Sequence, residues 1–96
     1  MLESLDTVPW STLSHAYGPA EDVPLLLRSL TGSDDEVRGK ALHSLYGNIF
    51  HQGTRYQATP YAVPFLYELV SNPEIRGRDE IVMLLVHVAL AWIIRE

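Results

Sequence analysis

Apolar positions recur along this chain with a helical period, and the periodic stretches are separated by proline, glycine and polar turn residues. Val23, Leu26, Leu27 and Leu30 share one face of a helix that opens at Asp22 and is broken by Thr31, Gly32 and Ser33. Ser33 or Asp34 can cap a second helix, and Asp35 and Glu36 in its first turn favour the positive end of the helix dipole. Val37, Ala41, Leu42, Leu45 and Ile49 carry the period to about residue 50, where a polar connector over 51–57 begins. Thr59-Pro60, an N-cap residue followed by proline at the first helical position, opens a third helix through Ala62, Val63, Phe65, Leu66, Leu69 and Val70. Pro64 falls inside it and should bend its axis. Asn72-Pro73 ends that helix, and a last one is predicted over about 74–95, with Gly77 moving its regular part toward Asp79. Upstream, Trp10, Leu13 and Tyr17 fall at helical spacing between Pro9 and the stop signal Gly18-Pro19, which predicts a short helix over 9–17. Neither sustained alternation nor an Asn-Gly or Asp-Gly hairpin turn predicts a strand. The expected class is therefore all-α.

The last helix departs from this amphipathic pattern. Between Ile81 and Ile94 its one polar side chain is His87, and a helix apolar on every side belongs in an interior. Fourteen residues rise about 21 Å, short of the roughly 30 Å of a bilayer core, so a membrane span is not expected. Ile81, Leu84, Leu85, Val88 and Trp92 can pack on the preceding helices. Val82, Val86, Leu90 and Ile93 are left facing outward, which predicts a homodimer through this helix, two-fold symmetric with the helices antiparallel.

The chain also repeats itself. Val23-Pro24-Leu25-Leu26 matches Val63-Pro64-Phe65-Leu66 at an offset of 40, and Glu36-Val37-Arg38-Gly39-Lys40 matches Glu74-Ile75-Arg76-Gly77-Arg78 at 38. Both halves read helix, turn, helix, and a period near 40 residues is that of HEAT and armadillo units. A prolyl first helix, an acidic turn and a Val-Arg pair near the start of the second helix resemble the HEAT pattern. The stretches from Trp10 to Pro19 and from Ile49 to Thr59 look like those of bacterial HEAT-repeat-domain proteins. The second half departs from the pattern at Asp79 and Glu80, where the first has Ala41 and Leu42. The resemblance implies one HEAT-like domain over 1–96: an N-terminal helix over 9–18, then antiparallel hairpins over 19–50 and 58–95, forming a fragment of a right-handed α-α superhelix.

Composition narrows what such a domain can do. Seven Lys and Arg against twelve Asp and Glu give a net charge of −5, and the basic residues are scattered. Nucleic acid, which selects clustered positive charge, is not an expected partner. The 96 residues include no cysteine, which excludes disulfides and thiolate metal sites and fits a reducing compartment. The N-terminus lacks the basic and apolar regions of a signal peptide, so the expected location is the cytoplasm. His15, His43, His51 and His87 form no zinc-binding spacing and read as hydrogen-bonded packing residues. Asp34, Asp35 and Glu36 read as cap and dipole partners rather than a catalytic pair. Arg38, Arg76 and Arg78 read as bridges to neighbouring repeats or turn carboxylates, with an anion site as the alternative. No nucleophile elbow, triad or glycine-rich phosphate loop is present, so neither catalytic residues, metal nor cofactor are expected.

The candidate binding residues are His51, Gln52, Thr54, Arg55 and Tyr56, in the connector between the two halves, because binding groups concentrate on loops held by rigid helices. The competing reading makes that connector a plug, with Tyr56 filling the groove between repeats. The resulting expectation is a non-catalytic protein-protein interaction module or scaffold, an accessory or immunity-like bacterial protein. The alternative is a nucleic-acid-acting HEAT enzyme of the alkylpurine glycosylase kind.

Overall fold

The structure, a computed structural model, describes residues 2–49 and 56–94, the last four of these by backbone alone. Four α-helices form the domain: α1 Val23–Ser29, α2 Asp35–Ile49, α3 Thr59–Val70 and α4 Arg78–Ile94. The α1 helix packs on α2 and α3 on α4, while α1 also touches α3 and α2 touches α4. The periodic apolar positions form the core: Val23, Leu27, Leu30, Leu45, Ile49, Leu66, Leu69 and Leu84 are fully buried. Leu26 is only half-buried and Val37 is exposed, so the apolar faces of α1 and α2 are narrower than the sequence pattern predicts.

Local chemistry sets the helix bounds. Asp34 caps α2, its Oδ1 accepting from the Glu36 and Val37 N–H groups at 2.9 and 3.3 Å. Pro60 sits in the first turn of α3, where a missing N–H costs nothing. The Thr59 hydroxyl is not a cap there: it donates to the Ile49 carbonyl at 2.9 Å and ties the start of α3 to the end of α2. Residues 74–77 are turn rather than helix, and α4 begins after Gly77, whose φ of +69° ends the turn. The Glu36–Lys40 match to Glu74–Arg78 therefore has no structural counterpart. Val37 is an exposed residue within α2, whereas Ile75 is a buried residue of the turn before α4.

The short N-terminal helix predicted over 9–18 does not form, and the described residues are not purely helical. Two 3-10 turns, Leu5–Thr7 and Trp10–Thr12, precede a minimal antiparallel ladder of β1 Ser14–His15 and β2 Gly18–Pro19. A nine-residue helix is too short to be stable on local bonds alone. Hydroxyls here also compete for the backbone, with the Thr7 and Thr12 side chains donating to the Ser4 and Pro9 carbonyls. Tertiary bonds then decide the outcome: the Ala16 N–H donates to the Asn48 carbonyl and the Ala58 N–H to the Ser14 carbonyl, both at 3.0 Å. Trp10 is buried as expected, but its indole N–H donates to the Leu5 carbonyl and its ring packs 6.2 Å from Phe65. Gly18 closes the ladder's turn at a φ of +127°.

No helix among the described residues is long and apolar enough to cross a membrane.

Candidate functional site: an apolar groove between the last two helices

Four of the five connector residues expected to bind, His51, Gln52, Thr54 and Arg55, lie outside the described residues. Tyr56 is half-buried, and its carbonyl accepts from the Thr59 N–H at 3.1 Å as the chain enters α3. The adjacent Gln57 is exposed, its Oε1 accepting from the Ser14 backbone N–H and hydroxyl.

On α4, Ile81, Leu84 and Val88 face the core and Leu85 is half-buried, as the pattern predicts. Val82, Val86 and Leu90 are exposed, and Met83 joins them. The side chain of Ile93 lies outside those described. This outward strip continues onto α3, where Pro60, Val63, Pro64 and Tyr67 follow helical spacing on a second apolar face. Together with Leu85, Val88 and Ala89 of α4 they line a groove of about 470 Å³. None of the seven is charged. The α3 half of the groove escapes a core-directed reading of the sequence, although the i, i+3, i+4, i+7 spacing of Pro60, Val63, Pro64 and Tyr67 carries the signal.

A second, polar depression of about 270 Å³ lies on the α1–α2 pair, lined by Tyr17, Asp22, Leu26, His43, Ser44, Gly47 and Asn48. A part-buried hydrogen-bond network supports it. The Tyr17 N–H donates to His15 Nδ1 at 3.0 Å, which leaves the ring proton on Nε2, 2.8 Å from Asp22 Oδ1. The other oxygen of Asp22 accepts from the Asn48 amide at 3.0 Å. Both ring nitrogens of His15 are thus engaged, and neither is open to take a proton from Ser44 or another nucleophile. The network instead fastens the β1–β2 turn to α1 and α2.

The remaining histidines divide. His87 joins α4 to α2, its Nδ1 lying 3.0 Å from the Tyr46 hydroxyl, with the rings edge-on at 5.6 Å. Desolvation between the helices, reinforced by the Glu80 carboxylate, raises the Tyr46 phenol above its ordinary value of 10.0. His43 is exposed on the rim of the polar depression. Among the described residues no group of three or more His, Asp or Glu is placed to hold a metal. Of the arginines, Arg38 bonds the Gly32 carbonyl and the Asp35 carboxylate of its own turn, and Arg78 bonds the Val70 carbonyl.

No protein-family model, curated protein or solved structure matches this chain.

Proposed function

We propose that this chain is a non-catalytic protein-binding module of two HEAT-like hairpins, α1–α2 and α3–α4, stacked side by side, and that the α3–α4 groove is its binding surface. The stacked reading draws support from the pairing of the helices, first with first and second with second, which is how successive hairpins lie in an α-α superhelix. One observation carries the functional reading: an uncharged apolar groove, continuous with exposed Val82, Val86 and Leu90, built wholly on helices. An exposed apolar surface of this kind marks an interaction site. It holds no convergent polar groups that would orient a small substrate.

The test is affinity capture from cells that express the chain natively, comparing the unmodified protein with a Tyr67→Glu bait. A protein retained at fixed stoichiometry by the first and lost with the second is expected. Equal recovery on both baits would contradict the reading.

A further inference from the structure

We propose that the polar depression on the α1–α2 pair binds a guanidinium group carried on an alkyl stem, with the Asp22 carboxylate as its anchor. The site is separate from the α3–α4 groove and does not depend on it. Its centre is a carboxylate held in place by buried donors. His15 and Asn48 are each 7% exposed, and both direct a side-chain nitrogen at Asp22. His15 Nε2 lies 2.8 Å from Oδ1, and Asn48 Nδ2 lies 3.0 Å from Oδ2. Each oxygen is thus fixed by one donor and keeps further acceptor capacity. Neither donor neutralises the carboxylate. The asparagine amide is uncharged, and His15 accepts the Tyr17 N–H at Nδ1, so its ring carries one proton and no charge. Arg28 pairs with Asp6, Arg38 with Asp35 and Lys40 with Glu36, while Arg78 bonds the Val70 carbonyl. Among the described residues, no lysine or arginine lines the depression. Asp22, its side chain 52% exposed, is therefore an oriented carboxylate open to a cation from solvent.

The walls select the kind of cation. Gly47 lies inside α2, and its φ is not in the left-handed region, so the backbone does not require glycine there and the helix is weaker for it. What the glycine supplies is room. An added Cβ would already meet the Tyr17 ring at 3.7 Å, and a longer side chain would fill the depression. Tyr17 is largely exposed. A guanidinium is planar: it stacks on such a ring and can donate two parallel bonds to a carboxylate whose oxygens are both oriented. An ammonium, as a point charge, exploits neither feature as fully. Half-buried Leu26 offers an apolar side to the stem. At about 270 Å³ the space is below the range of drug-sized pockets and suits a single side chain.

Nuclear magnetic resonance titration of the full chain tests this, with butylguanidinium as a free alkylguanidine and acetyl-Gly-Arg-Gly-amide as an arginine within a protein. Saturable shifts of the Tyr17, Ser44, Gly47 and Asn48 amide signals are expected. The dissociation constant should be on the order of 1 mM, weak because the carboxylate is half in water. Saturation by both probes supports a site for the group itself, and saturation by one alone supports the site and identifies the source. Silence with both overturns the proposal. A citrulline peptide, similar in shape and uncharged, should bind at least about tenfold more weakly. Equal binding of the citrulline peptide, or of the corresponding lysine peptide, would overturn the guanidinium assignment. Asp22→Asn and Gly47→Leu should each abolish saturation, the first by removing the charge and the second by filling the space. Gly47→Leu leaves the Asp22 hydrogen bonds in place, so it decides the matter if Asp22→Asn loosens the turn. Undiminished binding in Gly47→Leu with unchanged far-UV circular dichroism would overturn the site.

Discussion

Leu27 and Tyr67 stand 40 residues apart at matching places on α1 and α3, yet Leu27 is 0% exposed and Tyr67 67%. The two helix pairs share a plan: a prolyl first helix, a turn closed by side-chain or carbonyl caps, and a longer second helix. What separates them is coverage. The α1–α2 pair has α3–α4 on one side and the β1–β2 turn fastened to its other end by His15, Asp22 and Asn48. Among the described residues, the groove face of the α3–α4 pair is open, with Tyr67 exposed on it. The same apolar sequence character thus produces core in one half and open surface in the other, so the meaning of an apolar residue here is set by its neighbours rather than by its type.

The sharpest way to break this comparison is to truncate the matched pair. Leu27→Ala should cost about 2–5 kcal/mol, through lost burial and the cavity left behind. Tyr67→Ala should fall within about 0.5 kcal/mol of the unmodified protein, as exposed substitutions do. Chemical denaturation reads both. Similar losses for the two would mean that coverage does not separate the two faces.

The turns offer a second contrast, of opposite sign. Gly39 lies within α2 with nothing near the position of an added Cβ, whereas Gly77 has a φ of +69° and an added Cβ would meet Glu80 at 3.4 Å. Gly39→Ala should stabilise by about 0.5–1 kcal/mol, because alanine restricts the unfolded chain and suits a helix. Gly77→Ala should destabilise by at least about 1 kcal/mol. Thermal melts of the two variants should shift in opposite directions.

These glycines show where the sequence is legible and where it is not. Helix periodicity, the cap at Asp34 and the first-turn Pro60 are local signals, and they place α1, α2 and α3 well. The match of residues 36–40 with 74–78 misleads because it compares side-chain character, while backbone direction is set by Pro73 and the left-handed Gly77. The N-terminal segment misleads for a different reason. Trp10, Leu13 and Tyr17 have helical spacing, but the bonds that fix the segment run to Asn48 and Ala58, over separations no local window contains. The outward strip Val82, Val86 and Leu90 is legible because α4 has no polar side. The groove's α3 half is obscured because α3 carries two apolar faces, and its pattern does not say which one the chain buries.

A smaller effect is expected where the two pairs meet. Tyr46→Phe removes the hydroxyl that is hydrogen-bonded to His87 and should cost about 1 kcal/mol near neutral pH. The Tyr46 phenol is held above its ordinary value by burial and by Glu80. The stability this contributes is complete below pH 10 and is lost as pH rises through the folded-state value. The unmodified protein should therefore lose stability more steeply above pH 10 than Tyr46→Phe does. Parallel stability curves for the two would remove Tyr46 from this account.

Because the chain contains no cysteine, a single thiol can report the exposure of each matched face directly. Leu27→Cys and Tyr67→Cys should be labelled with a thiol reagent over a range of protein concentrations. Leu27→Cys should react slowly at every concentration. Tyr67→Cys should react at nearly the rate of a free thiol. Equal rates at the two positions would contradict the claim that one face is covered from within while its counterpart is open.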